Sequence, residues 1–114
     1  MNNVSLKKED IEELKSDTKK LYSFVKTENN GRLFFVLSKL GKLPNDFDDA
    51  PLLYLLDHKD AKIRYLAIKN LAKLGKFSLF PVFKEVIAND PSADVRREAT
   101  SAIGRLRNSK AILF

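Results

Sequence analysis

The chain repeats itself at an interval of 32 residues. At that offset an apolar-Arg-x-x-Ala pattern falls on its own copy: Ile63, Arg64 and Ala67 on Val95, Arg96 and Ala99. A weaker copy lies at an offset of 34, where Leu40 and Gly41 fall on Leu74 and Gly75. A fixed period of about 20 to 50 residues is typical of solenoids. Each helical hairpin of such a fold buries its apolar face only against its neighbours.

Helix-period spacing of apolar residues runs through most of the chain, and no segment alternates as a half-buried strand does. We therefore expect an all-α fold, and the repeat predicts an α-α superhelix of about three helical hairpins. The spacing predicts one helix that begins at the N-cap Ser5 and ends at Asn29-Asn30-Gly31, with an inward stripe. That stripe consists of Ile11, Leu14, Thr18, Leu21 and Val25. Further helices are predicted over residues 32–40, 50–56, 60–74, 78–88 and 92–106.

These helices divide into an N-terminal helix over residues 1–30 and repeats over residues 31–114. The helix-spaced phenylalanines predict core positions in a two-layer α fold. They are Phe34, Phe35, Phe47, Phe77, Phe80 and Phe83.

The composition leaves little for catalysis. The chain has no cysteine and one histidine, His58, which lies in a predicted turn and is expected to face solvent. Asp46, Asp48 and Asp49 are close together, but no calcium-loop spacing follows, and Asp48 or Asp49 suits a helix N-cap. We therefore expect no catalytic residue, no metal site and no cofactor. The absence of cysteine and of long apolar runs fits a cytoplasmic protein without a membrane span.

Positive charge is concentrated in the second half of the chain. Residues 1–57 hold 9 Lys and Arg against 10 Asp and Glu, whereas residues 58–114 hold 12 against 5. Such asymmetry attracts polyanions, although a solvated basic face is also common in proteins that bind none.

Three basic residues recur at one position of the repeat. Lys39, Lys73 and Arg105 each directly precede the last leucine of a second helix, so a regular stack would align them as a basic column. The residues expected to flank the column are Lys42, Lys69, Lys76 and Arg97. A basic column can bind a phosphate backbone. However, Lys and Arg at helix C-termini are also stabilised by the negative end of the helix dipole. Both interpretations stay open.

The segment from Asp60 to Gly75, DAKIRYLAIKNLAKLG, resembles the second helix of a HEAT repeat, and residues 92–106 resemble the next one. The resemblance implies that second helices line a concave surface. It also implies that Arg64 and Arg96 are structural and pair with an acidic group of an adjacent layer. Arg107 stands where the first copy has Gly75, so the second copy departs from the pattern at its end.

Residues 42–53 are similar to helical segments that precede DNA methyltransferase domains in some prokaryotic modification enzymes. The register also places residues 111–114 at a helix start, so we expect the chain to be part of a longer protein. The sequence thus predicts a non-catalytic module that binds double-stranded DNA without sequence preference, or positions an attached DNA-modification enzyme. The alternative is a scaffold that binds a peptide or helix of another protein, or of its own chain, on the concave face.

Overall fold

The computed structural model describes residues 6–108. Within that range the chain forms α-helices and no strand. The helices are α1 (Lys8–Ser16), α2 (Thr18–Thr27), α3 (Asn30–Lys39), α4 (Ala50–Tyr54), α5 (Ala61–Ala72), α6 (Phe80–Asn89) and α7 (Ala93–Arg107). Short 3-10 turns extend α4 at Leu55–Asp57 and precede α6 at Phe77–Leu79.

The helices form two rows. An inner row consists of α3, α5 and α7, packed side by side, and α4 and α6 pack on α5 and α7 respectively. The outer row continues through α2, which packs against α4, and α1 packs against α2. The molecule is elongated, with principal extents of 50 × 30 × 18 Å. This arrangement confirms the predicted all-α helical repeat.

The aligned apolar positions of the repeat lie in the core. Ala67 and Ala99 are completely buried, as is Val95, and Ile63 is 1% exposed. Because alanine has so short a side chain, it lets α5 and α7 approach closely, while the branched residues fill the space between layers. The residues that define the repeat are therefore the residues that join its layers.

The N-terminal segment differs from its prediction, because the single helix expected there is two helices. Asp17 is extended (φ −125°, ψ 95°) between α1 and α2, and its carboxylate accepts a hydrogen bond from the Lys20 N–H at 3.2 Å. Asn29 does not end the preceding helix but caps α3, since its side chain accepts from the Arg32 N–H at 2.9 Å. A capping side chain of Asp or Asn breaks the helix, but the apolar residues on either side keep their helical spacing. The spacing alone therefore does not reveal the break. The predicted N-cap Ser5 lies outside the described residues.

We call α3 the inner helix of the first layer, the pair of α4 and α5 the second layer, and the pair of α6 and α7 the third. Arg64 joins the second layer to the third. Its Nε and Nη2 donate to the two carboxylate oxygens of Asp90 at 2.9 and 3.2 Å. Its Nη1 donates to the backbone carbonyl of His58, in the turn of its own layer, at 2.7 Å. The Arg64 and Asp90 side chains are only 10% and 7% exposed, so this is a bidentate pair largely removed from water.

The hydrogen bonds of the turns repeat with the sequence. Arg96 donates from Nη1 to the Asp90 carbonyl at 2.7 Å, as Arg64 does to His58 six residues before it. His58 Nδ1 accepts from the Asp60 N–H at 3.0 Å, and Asp90 Oδ1 accepts from the Ser92 N–H at 2.9 Å. The 32-residue register thus fixes backbone geometry as well as packing.

The first two layers are tied by polar contacts of α5. The buried Asn70 side chain donates from Nδ2 to the Leu37 carbonyl of α3 at 3.0 Å. At the start of α5, Asp60 accepts from the Asn30 side chain at 3.1 Å. These contacts hold α3 and α5 in a fixed register along their lengths.

Arg64→Met should lower the free energy of unfolding by about 3 kcal/mol, because it leaves the Asp90 carboxylate buried without its partner. The matched control is Arg96→Met at the equivalent position, which loses one bond to a backbone carbonyl and should cost about 1 kcal/mol. Urea unfolding followed by circular dichroism measures both. Equal losses for the two variants would contradict the role given to the Arg64–Asp90 pair.

Gly75 follows α5 with a positive φ of 61°, a conformation that an L side chain adopts at a cost. Gly75→Ala should therefore destabilise the fold by about 1 kcal/mol. Gly104 lies inside α7 with nothing within 4 Å of an added Cβ, so Gly104→Ala should stabilise by about 0.5 to 1 kcal/mol. Thermal unfolding of the two variants should move the midpoint in opposite directions, and a shift in the same direction contradicts the assignment.

Candidate interaction surface

A groove with a volume of about 670 Å³ runs across the inner row of helices. We call it the Phe34 groove. It is lined by residues of α3, α5, α7 and the turn before α7: Phe34, Ala61, Lys62, Tyr65, Leu66, Ser92, Asp94, Arg97, Glu98 and Ser101. Its size lies within the range of sites that hold a small ligand or several side chains of a larger one.

The apolar floor of the groove comes from helix faces that the core does not use. In α3 the buried side chains are Leu33, Val36 and Leu37, and Phe34 lies to the side of this stripe with 47% of its surface exposed. Tyr65 and Leu66 of α5 are half-buried and line the same groove. An exposed phenylalanine beside partly buried apolar groups is a contact surface without a cover.

The prediction that the helix-spaced phenylalanines occupy core positions is therefore wrong in part. Phe47 and Phe83 lie in the core, but Phe34, Phe35 and Phe77 are 47%, 40% and 53% exposed. The error arises because consecutive residues of a helix point in different directions, so Phe34 and Phe35 cannot both follow the buried stripe.

The charges along the α7 wall neutralise one another. Arg97 pairs with Asp94. Arg105 Nη2 lies 3.5 Å from Glu98 Oε2, a buried oxygen that accepts no hydrogen bond among the described residues. On the α5 wall the situation differs, because Lys62 is exposed and pairs with no carboxylate in residues 6–108.

Each member of the predicted basic column has a contact within the protein. The Lys39 ammonium lies 5.9 Å from the centre of the Phe35 ring. Lys73 Nζ donates to the carbonyl of Gly41, at the end of the previous layer, at 2.6 Å. Arg105 is near Glu98. Lys73 therefore makes a contact of the helix-terminus kind, because its ammonium binds a backbone carbonyl just beyond the C-terminus of α3.

Lys73 also lies near two other ammonium groups. Partial burial lowers the pKa of Lys73, and the positive charges of Lys15 and Lys69 lower it further. Lys15 belongs to α1, and its side chain is 11% exposed. No position of the repeat pointed to Lys15, because the register does not extend into the first 30 residues.

The four residues predicted to flank the column do not lie together, because two of them lie beside or in the Phe34 groove and two do not. Lys42 is exposed, and Lys76 lies 3.5 Å from Asp49 Oδ2. Lys69 stacks over the Tyr65 ring at 5.7 Å, beside the groove, and Arg97 lies in its wall.

The remaining candidate residues have local structural contacts. Asp48 Oδ1 accepts from the Ala50 N–H at 2.9 Å, at the start of α4, while Asp49 faces Lys76. Asp46 is exposed, and His58 is half-buried in its turn rather than fully in solvent. Across residues 6–108 no three potential metal-ligating side chains come together.

A second cleft, of about 740 Å³, lies between the outer helices α4 and α6. Arg64 and Asp90 are part of its lining, but they are bonded to each other. We therefore place the candidate surface at the Phe34 groove. None of the helices in the described part of the chain is sufficiently long and apolar to cross a membrane.

The fold and groove define an α-helical repeat protein whose exposed features lie on the row of second helices. A family model described as HEAT repeats matches residues 50–113. The chain belongs to the HEAT-repeat family, a class of repeat modules for protein interaction. No curated protein and no solved structure matches it. The similarity of residues 42–53 to methyltransferase-associated segments gains no support from these comparisons.

Proposed function

We propose that this chain is a protein-interaction module that binds a segment of another protein in the Phe34 groove. The observation that carries the proposal is the groove itself, where Phe34, Tyr65 and Leu66 form an apolar floor that is open in the structure of residues 6–108 and lies between polar walls. Interaction sites combine an apolar or aromatic centre with a charged rim in the same way.

The rigid frame of the groove supports this proposal. Its walls belong to three helices held in register by Asn70, by Asp60 and by the Arg64–Asp90 pair. A site built on packed helices loses little conformational entropy when a partner binds. The groove is therefore prepared for an incoming side chain before binding.

Selection of displayed random 16-residue peptides against the protein should yield binders that depend on Phe34. Phe34→Ala should weaken their affinity by about tenfold or more, because it removes a large apolar contact from the floor. Fluorescence anisotropy of the synthesised peptides measures the change.

The matched control is Phe77→Ala, an equally exposed aromatic residue outside the groove, which should leave affinity unchanged. Because both side chains are about half exposed, neither variant should unfold the protein. Failure to select any peptide, or equal losses in both variants, would refute the proposal.

A second candidate function is sequence-independent binding of double-stranded DNA. It is favoured by Lys69 and Lys73, exposed residues one helical turn apart at the end of α5, and by the further positive charge that Lys15 of α1 exerts on Lys73. A phosphate backbone would offset the repulsion that Lys15 and Lys69 exert on the Lys73 ammonium. Positioning of an attached DNA-modification enzyme would be one use of such binding.

If the column binds DNA, a random 20-base-pair duplex should bind in low salt and dissociate steeply as salt rises. Replacement of Lys39, Lys73 and Arg105 by Glu should abolish binding, whereas Lys8→Glu and Lys19→Glu together, on α1 and α2, should preserve most of it. Anisotropy across a salt series gives the slope. No binding at about 50 mM salt removes this candidate.

In either case the module is proposed to be non-catalytic and cytoplasmic. We also propose a boundary between residues 30 and 31, with residues 1–30 as an addition to the repeats. The inner row begins with α3 at Asn30, which supports this division to within one residue.

A further inference from the structure

We propose that the partner of the Phe34 groove is an acidic amphipathic helix that places carboxylates on Lys62 and Lys69 around one apolar anchor. This inference rests on the proposed protein-interaction function and specifies the chemistry of the partner. Among the described residues, Lys62 and Lys69 are positive charges that remain outside the ion pairs of the molecule.

The α5 wall carries two lysines that form no ion pair within the described part of the chain. Neither α3 nor α5 contains an aspartate or glutamate. Lys62 and Lys69 are both exposed, and in residues 6–108 neither ammonium pairs with a carboxylate. The two acids of the α7 wall face Arg97 and Arg105 instead, so they add no net negative charge to the surface.

The spacing of the two lysines sets the form of the partner. They are seven residues apart on α5, which is two helical turns or about 10 Å along the axis. Tyr65 and Leu66 lie between them in the sequence and line the groove together with Phe34. A partner helix with acidic residues at i and i+7 and a large apolar residue between them has the same spacing.

Charge and apolar surface together favour this occupant over others. A basic peptide would be repelled by Lys62 and Lys69, while the two acids of the α7 wall already face Arg97 and Arg105. A nucleic acid strand would place charged phosphates over the apolar floor of Phe34, Tyr65 and Leu66, which offers them no donor. An acidic amphipathic helix pairs its carboxylates with Lys62 and Lys69 and covers the apolar floor at the same time.

The test uses the peptides selected on the whole protein. The pool should be enriched in net acidic sequences with acids seven residues apart, and these peptides should become helical on binding. Lys62→Glu combined with Lys69→Glu should weaken their binding by about tenfold or more, and the effect should shrink as salt rises. The matched control with the same change in net charge is Lys8→Glu combined with Lys19→Glu, which should leave affinity within about twofold.

The outcomes separate this inference from the proposed function. Selected peptides that depend on Phe34 but are basic, or that tolerate the Lys62 and Lys69 reversals, overturn the acidic partner and leave the groove function intact. A labelled 20-mer of oligo-dT that binds more tightly than every selected peptide, and is lost in the same reversal, overturns it in favour of nucleic acid. Self-association of the protein that Phe34→Ala abolishes overturns it in favour of a second copy of the chain.

Discussion

The bidentate contact between Arg64 and Asp90 fixes how one layer of this molecule sits on the next. The guanidinium binds a carboxylate of the third layer and a carbonyl of the second, so it sets both distance and rotation between them. A charge pair this well buried needs good geometry to offset its desolvation. Because the groove lies across α3, α5 and α7, its shape depends on that rotation.

The sequence predicts the parts of the fold that repeat. The apolar and alanine positions of the 32-residue period lie in the core, and Gly41 and Gly75 take the positive φ that ends a helix. Asp60 and Ser92 cap α5 and α7 through their side chains. These features are local or periodic, so a single chain is enough to recognise them.

Features of the fold and of the candidate site that lie outside the 32-residue period are not predictable from it. The break at Asp17 depends on a side chain that caps α2, while the apolar stripe continues past it. The groove depends on which face of α3 meets α5, and this packing leaves Phe34 outside the core. The positive charge of Lys15 acts on Lys73 only through tertiary structure. Candidate residues chosen from the repeat therefore include basic positions but omit Phe34, Lys62, Tyr65 and Leu66.

A double-mutant cycle on Arg64 and Asp90 tests the stacking of the layers most directly. Arg64→Met and Asp90→Asn, alone and together, are compared by their free energies of unfolding in urea. We predict a coupling free energy of about 1.5 kcal/mol or more, because the two side chains form a largely buried, bidentate pair. A coupling near zero would mean that the layers are not joined at this contact, which would contradict the account of the groove that depends on it.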